Sequence, residues 1–527
     1  MKLRSLTVSF CILAAGFAAA AQEQGPCRDF YFRVGSDPMF MVSNPAAISA
    51  FKGHISMAEL SFRKDDGAFL SLEDSPDSYR AAAHTESYIS ISDRISFRGR
   101  LSWSYFSGDK MGGPVLMEPI YNPVSFLESN TLTLGRKNKE TYSMLGAASY
   151  RFSDKWSAGI SLDYVSADQT KIKDPRFSNV WMDMNLKAGV SFRPSDSLML
   201  GLTLLYRNTI EQVRSGIYGT TDKQYFIYAD KGGFLGTIAE LTGDYNYISL
   251  TNPRPMQNDF FGLGLQFAGC GIVNELDVLY RKGTWGGKAS STAIFFEFSG
   301  LEASYRGKFV KRRGDALHKL SLDIDYELLG NNENVFSYVT PVGQNTRVEY
   351  SGQNHISDRH LASAGLSYVF SKGMERYMPD FTAGASLSGS MLASSAVLYP
   401  FTRNSDTESL KAEVFADKSF YSGRSVFTIS LSGSFRTGFG TPKEDATLVP
   451  GASSGYISFD DYLYRQFEYD TASAAGARAG FRYSYVVSAR LIPYIELSDS
   501  FSAMLQDPQY LGGRFRNTAL ITLGCNF

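Results

Sequence analysis

Alternation of apolar and polar side chains is the sequence feature that most limits how this chain can fold. It recurs in many segments, of which Ile95–Tyr105, Met184–Arg193 and Leu320–Leu328 are clear examples. In the last of these, leucine, isoleucine and tyrosine alternate with serine, aspartate and glutamate. Because successive residues of a strand point to opposite faces, each such strand has one apolar face and one polar face. The pattern predicts β-strands and is incompatible with an amphipathic helix.

The length and the connections of these segments distinguish a membrane barrel from a soluble sandwich. The segments are about ten residues long, as a tilted bilayer-crossing strand requires, whereas strands of soluble sheets average about five or six. Short polar connections such as 153–155 and 194–196 alternate with long links such as 107–140 and 207–258. Outer-membrane barrels have short periplasmic turns and long external loops in this way. We predict an all-β fold, a transmembrane antiparallel up-and-down β-barrel of about 14–18 strands, with about eighteen candidates counted.

The end of the chain supports the same fold. In the last segment Ala519, Ile521, Leu523 and Cys525 form one apolar face, and the sequence stops on Phe527. A terminal phenylalanine after an alternating strand resembles the signal that the bacterial barrel-assembly machinery reads. We therefore expect that machinery to be a partner, and a closed barrel, because lipid offers no partner for a free strand edge.

The start of the chain predicts export. Lys2 and Arg4 precede an apolar run that ends in three alanines at 19–21, which is the order of a cleaved secretory signal peptide. We assign residues 1–21 to that peptide and expect the mature protein in the bacterial outer membrane, in contact with lipid and lipopolysaccharide. No later stretch has the roughly 20 apolar residues of a spanning helix. Aromatic residues make up 14% of the chain, which suits aromatic girdles at a bilayer interface.

Composition also excludes several functions. The 52 basic and 53 acidic residues nearly cancel, so we expect no nucleic-acid partner. The cysteines beyond the leader, Cys27, Cys270 and Cys525, have no metal-type spacing, and we expect neither a metal nor a cofactor. The best catalytic candidates, His355 and His360 with Asp358, fall in a stretch interpreted as a polar external loop, and no nucleophile stands near them at a recognisable spacing. We predict that the protein is not an enzyme.

One motif resembles a known family. The sequence Asn44-Pro45-Ala46, followed by an aliphatic residue and a first strand from His54, is similar to the start of the FadL family of long-chain fatty-acid transporters and of PorV-like proteins. The resemblance implies that residues 22–53 form a hatch in the lumen, with Asn44, Pro45 and Ala46 as a turn at the barrel floor. Residues 54–527 would then form the barrel. The hairpins also resemble outer-membrane barrels of Bacteroidota in style.

The polar faces of the predicted strands carry charged residues, which predicts a water-filled lumen. The candidate lumen-facing residues are Arg98, Arg100, Lys187, Arg193, Asp323, Asp325 and Glu327. Two functions remain open. The first is a passive channel for hydrophobic or amphipathic small molecules, with an apolar pocket behind Asn44 and a lateral opening. The second is a non-transporting barrel that acts as an assembly or secretion partner of a surface protein or a TonB-type receptor, with a sealed wall and a packed interior.

Overall fold

The computed structural model describes most of the chain. The described residues are 28–37, 42–118, 122–128, 133–195, 197–219, 223–241, 248, 254–287, 292–451, 460–488 and 490–527. The predicted signal peptide and Cys27 lie outside them, as do residues 38–41 of the predicted hatch.

Eighteen strands form one antiparallel sheet. They are β1 (His54–Gly67), β2 (Asp77–Ser90), β3 (Ile95–Met111), β6 (Gly135–Arg151), β7 (Trp156–Lys171), β8 (Arg176–Ser195), β9 (Leu198–Gly216), β12 (Pro255–Gly269), β13 (Ile272–Gly286), β14 (Ile294–Arg313), β15 (Ala316–Val339), β16 (Arg347–Lys372), β17 (Phe381–Leu398), β18 (Phe401–Ser422), β19 (Ser425–Thr447), β20 (Ala474–Tyr485), β21 (Ile492–Met504) and β22 (Phe515–Asn526).

The sheet closes on itself, because β1 pairs with β2 on one side and with β22 on the other. In that seam Leu60 lies opposite Leu523, and both side chains are exposed on the outer surface. Phe527 extends the seam, since its backbone N–H and carbonyl both pair with Ser56 at 2.9 and 2.8 Å. The predicted up-and-down barrel is confirmed, with eighteen strands.

A second, smaller sheet is formed by strands in two long links, 112–134 and 217–254. It consists of β4 (Gly113–Pro114), β5 (Ser125–Glu128), β10 (Phe226–Asp230) and β11 (Gly236–Glu240), in the order β11-β10-β5-β4. The helical elements within the described residues are α1 (Phe30–Ser36), a 3₁₀ helix (Pro45–Ala50) and α2 (Asp460–Thr471). None of the described helices is long and apolar enough to cross a membrane.

The outer face of the barrel is apolar, as the alternation predicted. On neighbouring strands β9 and β12 the exposed side chains include Leu202, Leu204, Phe261, Leu263 and Leu265. The residues between them, such as Thr203 and Gln266, are buried on the inner face. A soluble protein rarely exposes so continuous an apolar surface, whereas lipid covers one without cost.

The strands are longer than predicted. They run from 12 residues in β20 to 26 in β16, compared with the expected ten or so. The alternation marks only the part of a strand whose two faces differ in environment. At the start of β16, residues 349–355 are exposed on both faces, so no period of two is visible there. His355 and His360 consequently lie in β16 and not in a loop, which corrects that interpretation.

We call the end that holds the start of β1 and the end of β22 the inner end, and the opposite end the outer end. Inner-end connections such as 152–155, 314–315 and 423–424 are short, although residues 373–380 form a longer one. The outer end has the long links 112–134, 217–254 and 448–473. The predicted asymmetry is therefore present, although the outer connection at 399–400 is as short as any inner turn.

Candidate functional site: a lumen closed at two ends

The inner end of the lumen is occupied by the segment that precedes β1. Asn44 begins the 3₁₀ helix, and its Oδ1 accepts the backbone N–H of Ala46 at 2.9 Å, as an N-cap residue does. Its Nδ2 donates to the carbonyl oxygens of Val190 and Leu202 at 3.0 and 3.3 Å. It also contacts Oε1 of Gln266 at 3.0 Å. Asn44 is fully buried, so one amide group joins the segment to three strands of the wall.

Glycines on three neighbouring strands form the surface on which this segment rests. A Cβ atom at Gly159 would lie 2.6 Å from the carbonyl carbon of Pro45, and one at Gly189 would lie 2.0 Å from Oδ1 of Asn44. At Gly201 it would lie 2.8 Å from Nδ2 of Asn44. Gly159 and Gly189 are cross-strand partners. We call Gly159, Gly189 and Gly201 the glycine seat, because only residues without a side chain admit the segment there.

Small polar groups complete the inner contact. The carbonyl oxygen of Ala46 accepts hydrogen bonds from the hydroxyl groups of Ser149 and Ser157, at 3.0 and 3.2 Å. Arg151 donates to the carbonyl oxygen of Ser49. Arg193, one of the predicted lumen residues, reaches Oγ of Ser49 at 3.5 Å. The wall therefore satisfies the backbone groups of the 3₁₀ helix, as buried polar groups require.

Helix α1 anchors the same segment on the far side of the barrel. Asp29 caps the helix by accepting the N–H of Phe32, and its other carboxylate oxygen pairs with Arg482 at 2.9 Å. Both side chains are almost fully buried. Arg482 also reaches the hydroxyl group of Tyr377, and Asn526 contacts that hydroxyl group at 2.5 Å. We call residues 28–37 and 42–51, with their contacts to the wall, the inner closure.

The predicted lumen-facing residues lie on the inner face, opposite the exposed apolar set. Arg98 pairs with Glu86 at 2.8 Å, and Arg100 pairs with Asp163 at 2.7 Å. Asp325 pairs with Arg306 at 2.6 Å. Asp323 is 3.5 Å from the same arginine. Lys187 lies on this face of β8, between Asn185 and Gly189, and Arg193 reaches the inner closure.

Glu327 belongs to a buried ionic cluster. It accepts from Arg359 at 2.5 Å and from Arg281 at 3.4 Å. Arg281 is fully buried, lies 3.9 Å from Glu302 and donates to Asn258 at 3.0 Å. These contacts cross several strands, so the cluster braces the inner wall below the small sheet. The alternation predicted Glu327, but it did not indicate that Arg281 and Arg359 meet there.

The small sheet packs into the outer end of the barrel and forms what we call the outer closure. Phe126 and Ile227 of that sheet, with Val115 beside it, are buried against inward side chains of six barrel strands. The wall residues are Phe177, Val213, Met256, Trp285, Phe296, Phe298 and Leu329. The rings of Phe126 and Trp285 meet edge to face at 4.5 Å. Apolar burial therefore holds this closure in place.

Ion pairs and hydrogen bonds join the edges of the outer closure to the barrel wall. Lys171 pairs with Glu128 at 2.6 Å, and both side chains are 1% exposed. At the opposite edge, Arg403 donates to the carbonyl oxygen of Phe234 at 2.6 Å. Lys231 pairs with Glu333 at 2.6 Å. Burial raises the pKa of the Glu128 carboxyl group, and it raises that of Asp230 in the same sheet to about 6.

Helix α2 links the outer closure to the rest of the outer rim. The hydroxyl group of Tyr462 donates to the carbonyl oxygen of Glu128 at 2.7 Å. Glu468 accepts three backbone N–H groups of the connection between β21 and β22 at 2.6–2.8 Å. Gln466 accepts the N–H of Leu72, which belongs to the connection between β1 and β2. The helix therefore ties three outer connections together.

No group of His, Cys, Asp and Glu residues in the described part of the chain has the arrangement of a metal site. The best catalytic candidate, His355, contacts Asp358 at 2.9 Å on an exposed stretch of β16. His360 contacts the hydroxyl group of Tyr326 at 2.9 Å, among the outward residues. The two histidines therefore do not share a site.

A closed antiparallel barrel with an apolar outer face and a charged inner face is a transmembrane β-barrel. The sequence then gives the family, because residues 45–527 match the model of a family of unknown function, DUF6850. The chain belongs to that family. No curated protein matches it in sequence.

Solved structures of several barrels are similar to the chain. The ferric preacinetobactin receptor BauA from Acinetobacter baumannii is 8% identical, with 90% of this chain and 80% of that chain covered and a TM-score of 0.39. A FadL homologue from Pseudomonas aeruginosa is 12% identical, with 97% and 99% covered and a TM-score of 0.31. The RagAB peptide transporter is 9% identical, with 90% and 74% covered and a TM-score of 0.37. At these values the likeness concerns the barrel fold alone.

Proposed function

We propose that the protein is a gated, passive channel of the bacterial outer membrane for polar or amphipathic small molecules. The observation that carries the proposal is a charged lumen with accessible side chains between two closures. The exposed apolar face supports the membrane location, because lipid is the environment that such a face requires. Barrels of about 16–18 strands are also wide enough for an aqueous channel.

Exposure of the charged side chains supports a hollow interior. Asp323 and Asp325 are 45% and 48% exposed, although both lie on the inner face of β15. Lys411 and Arg478, on the inner faces of β18 and β20, are 52% and 50% exposed. Side chains in a packed core would be covered, as Arg281 is. Water therefore has access to the lumen between the closures, and the lining favours a polar solute.

The wall supports a path along the barrel axis. Each of the eighteen strands is paired with both neighbours through described residues. Most shifts in register lie toward strand ends, for example at Asn404 and Phe192, and the one inside the β15–β16 ladder, at Asn331, leaves the strands paired on both sides of it. A lateral opening would need an interrupted ladder. Beside Asn44 the wall residues Gln266 and Glu275 are polar, and the apolar cluster of Val42, Ala47, Met199, Ala268 and Val273 is buried there.

Of the two features that the FadL-like resemblance implies, a hatch and a hydrophobic cargo, the proposal keeps the hatch. The Asn44-Pro45-Ala46 element rests on the inner wall as a capped turn, which supports a hatch role for the segment 28–51. A hydrophobic cargo of the FadL type would pass the paired charges of Arg100, Asp163 and Asp325. Contact with such charged groups would stabilise an apolar solute little, because the charges would lose water without gaining hydrogen bonds. We therefore infer a hatch of this type with a more polar cargo.

Single-channel conductance of the refolded barrel in a planar bilayer tests the proposal. We expect rare openings in the full chain and frequent openings when deletion of residues 22–51 is combined with Phe126→Ala, since the inner closure is then absent and the outer closure is weakened. Retention of the folded barrel is checked by its resistance to unfolding in detergent before heating. A deletion variant that is folded but does not conduct, even with the outer closure weakened by Phe126→Ala, would contradict a channel.

Ion selectivity gives a second test of the lumen. Asp325→Asn removes one accessible negative charge from the lining. The ratio of cation to anion permeability should therefore fall, as read from the reversal potential in a salt gradient. Asp499→Asn is the matched control, because Asp499 is exposed on the outer face of β21. Equal shifts in both variants would mean that ions do not pass along the inner face.

A second candidate function is supported by the uneven height of the wall. Strands β15, β16, β18 and β19 contain 22–26 residues, whereas β20, β21 and β22 contain 12–13. The tall side carries exposed apolar residues near its tip, among them Tyr338, Val342 and Tyr350. Such a surface would suit a protein partner, and loss of a co-purified partner from a Tyr338→Ser, Tyr350→Ser variant would test it.

A further inference from the structure

A cavity of about 560 Å³ opens at the inner end, beside the contact of Arg28 with Tyr377 in the inner closure. Residues 375–377, 423–424, 486 and 488, from three inner-end connections, line it together with Arg28 at the start of the described chain. Its volume lies within the usual range of small-molecule sites, roughly 300–1,000 Å³. None of the predicted site residues lines it.

The cavity has an apolar base. Tyr377, Val426 and Ile492 are almost fully buried there and pack against one another. Val486 and Tyr421 extend the same cluster. The base is therefore preformed, and Val486 and Tyr421, which are only partly buried, are the side chains on which a ring or short alkyl group could rest.

The rim of the cavity is basic. Arg28, Arg376 and Arg424 line it, with Glu375 as the one carboxylate among the lining residues. Arg376 and Arg424 have no ion-pair partner among the described residues. This differs from the lumen, where Arg98, Arg100 and other arginines are paired with carboxylates.

The connection that carries Arg376 is held in place. The Arg376 guanidinium lies over the ring of Tyr421 at 4.7 Å, and the Tyr421 hydroxyl group contacts the backbone of Met378. The N–H groups of Gly373 and Met374 donate to Asp315 at 2.9 and 2.8 Å. At the other end, the carbonyl oxygen of Tyr377 accepts the N–H groups of Arg28 and Asp29.

We propose that this cavity binds a small amphipathic anion, with a phosphate or carboxylate group on Arg376 and Arg424 and an apolar group on the partly buried side chains of Val486 and Tyr421. A guanidinium stacked on a ring keeps its N–H edge directed outward, and two arginines can share one anionic group through charge-assisted hydrogen bonds. The site does not depend on conduction through the lumen. It would hold a solute that arrives from the inner side of the membrane or leaves the barrel there.

Calorimetric titration of the full-length barrel in a non-ionic detergent tests the site, with phenyl phosphate as the probe. Inorganic phosphate presents the charge alone, benzyl alcohol presents the ring alone, and benzylamine reverses the charge. We expect phenyl phosphate to bind at least about tenfold more tightly than any of the three. Equal affinity for phenyl phosphate and benzylamine, or for phenyl phosphate and inorganic phosphate, would overturn the proposal.

Variants locate the binding. Arg376→Gln with Arg424→Gln should weaken phenyl phosphate binding by about tenfold or more, because both charged donors are lost. Arg376→Lys should have an intermediate effect, since it keeps the charge and loses the planar guanidinium group that stacks on Tyr421. Arg312→Gln is the matched control, because Arg312 is also exposed close to an inner-end turn. Loss of binding in the control, or no loss in the double variant, would place the ligand elsewhere and refute the site.

Discussion

The two closures block the same lumen by different physical means. The inner closure rests on the glycine seat and is joined to the wall by hydrogen bonds of Asn44 and by the ion pair of Asp29 with Arg482. The outer closure buries Phe126 and its neighbours against an apolar stretch of the wall. The first depends on the positions of a few atoms, whereas the second depends on the total area removed from water.

This difference determines what each closure tolerates. Hydrogen bonds and close backbone contact fail when one atom is inserted, because the groups involved are left buried without partners. Apolar contact weakens roughly in proportion to the lost area, so a single small change leaves most of it intact. We therefore expect the inner closure to be sensitive to substitutions that add a few side-chain atoms, and the outer closure to substitutions that remove a large side chain.

The largest effect should come from Phe126→Ala. Phe126 is completely buried and contacts the ring of Trp285, and replacing such a side chain by alanine costs about 3–5 kcal/mol. The loss should increase hydrogen exchange in β5 and β10 while the barrel strands stay protected. Phe226→Ala is the control, because Phe226 lies in β10 of the same sheet and is exposed. If both variants exchange alike, apolar burial does not hold this closure.

A smaller effect, about 1–3 kcal/mol, should follow Gly189→Val. The added side chain would occupy the position of the Asn44 amide and detach the 3₁₀ helix from the seat. Limited proteolysis should then cut the segment 28–51, with the barrel intact. Gly365→Val is the matched control, because Gly365 also faces inward and the nearest atom to an added Cβ, in Ser388, is 4.0 Å away. Protection of the segment in Gly189→Val would show that the seat is not required.

The sequence predicted the parts of the fold that repeat. The boundary between lipid and lumen acts on every strand in the same way, so the outward positions of Leu322 and Leu328 and the inward positions of Asp323 and Glu327 follow from alternation alone. The strands were underestimated in length because the alternation ends where both faces meet water, as at Tyr350.

The closures were less predictable, because their contacts join distant parts of the chain. Gly159, Gly189 and Gly201 lie on different strands, and an isolated glycine in a strand does not indicate what approaches it. The strands of the outer closure are two to five residues long, too short to show a period. The Asn44-Pro45-Ala46 motif could signal the inner contact, whereas nothing in the sequence singles out Arg376 and Arg424 as neighbours.

The smallest predicted effect distinguishes the two closures by pH. Burial raises the pKa of Asp230 in the outer closure to about 6. Burial, and the charge of Glu118 in the link that carries β4 and β5, raise the pKa of Glu73 to about 7, so Glu73 faces the same closure from the connection between β1 and β2. A carboxyl group whose pKa is raised by closure favours the closed state when it is protonated. That contribution is complete below the ordinary pKa of the group and is lost as the pH rises through the raised value.

The outer closure should therefore exchange hydrogen faster, relative to the intrinsic rate, at about pH 7.5 than at about pH 4.5. Asp230→Asn should reduce this dependence, and the double variant with Glu73→Gln should reduce it further, because neither amide titrates. Glu240→Gln is the control, since Glu240 is exposed at the end of β11. An unchanged pH dependence in the double variant would mean that these two carboxyl groups do not favour closure. The two closures would then differ only in the contacts that Phe126 and Gly189 test, namely the apolar area buried at the outer closure and the steric fit at the inner one.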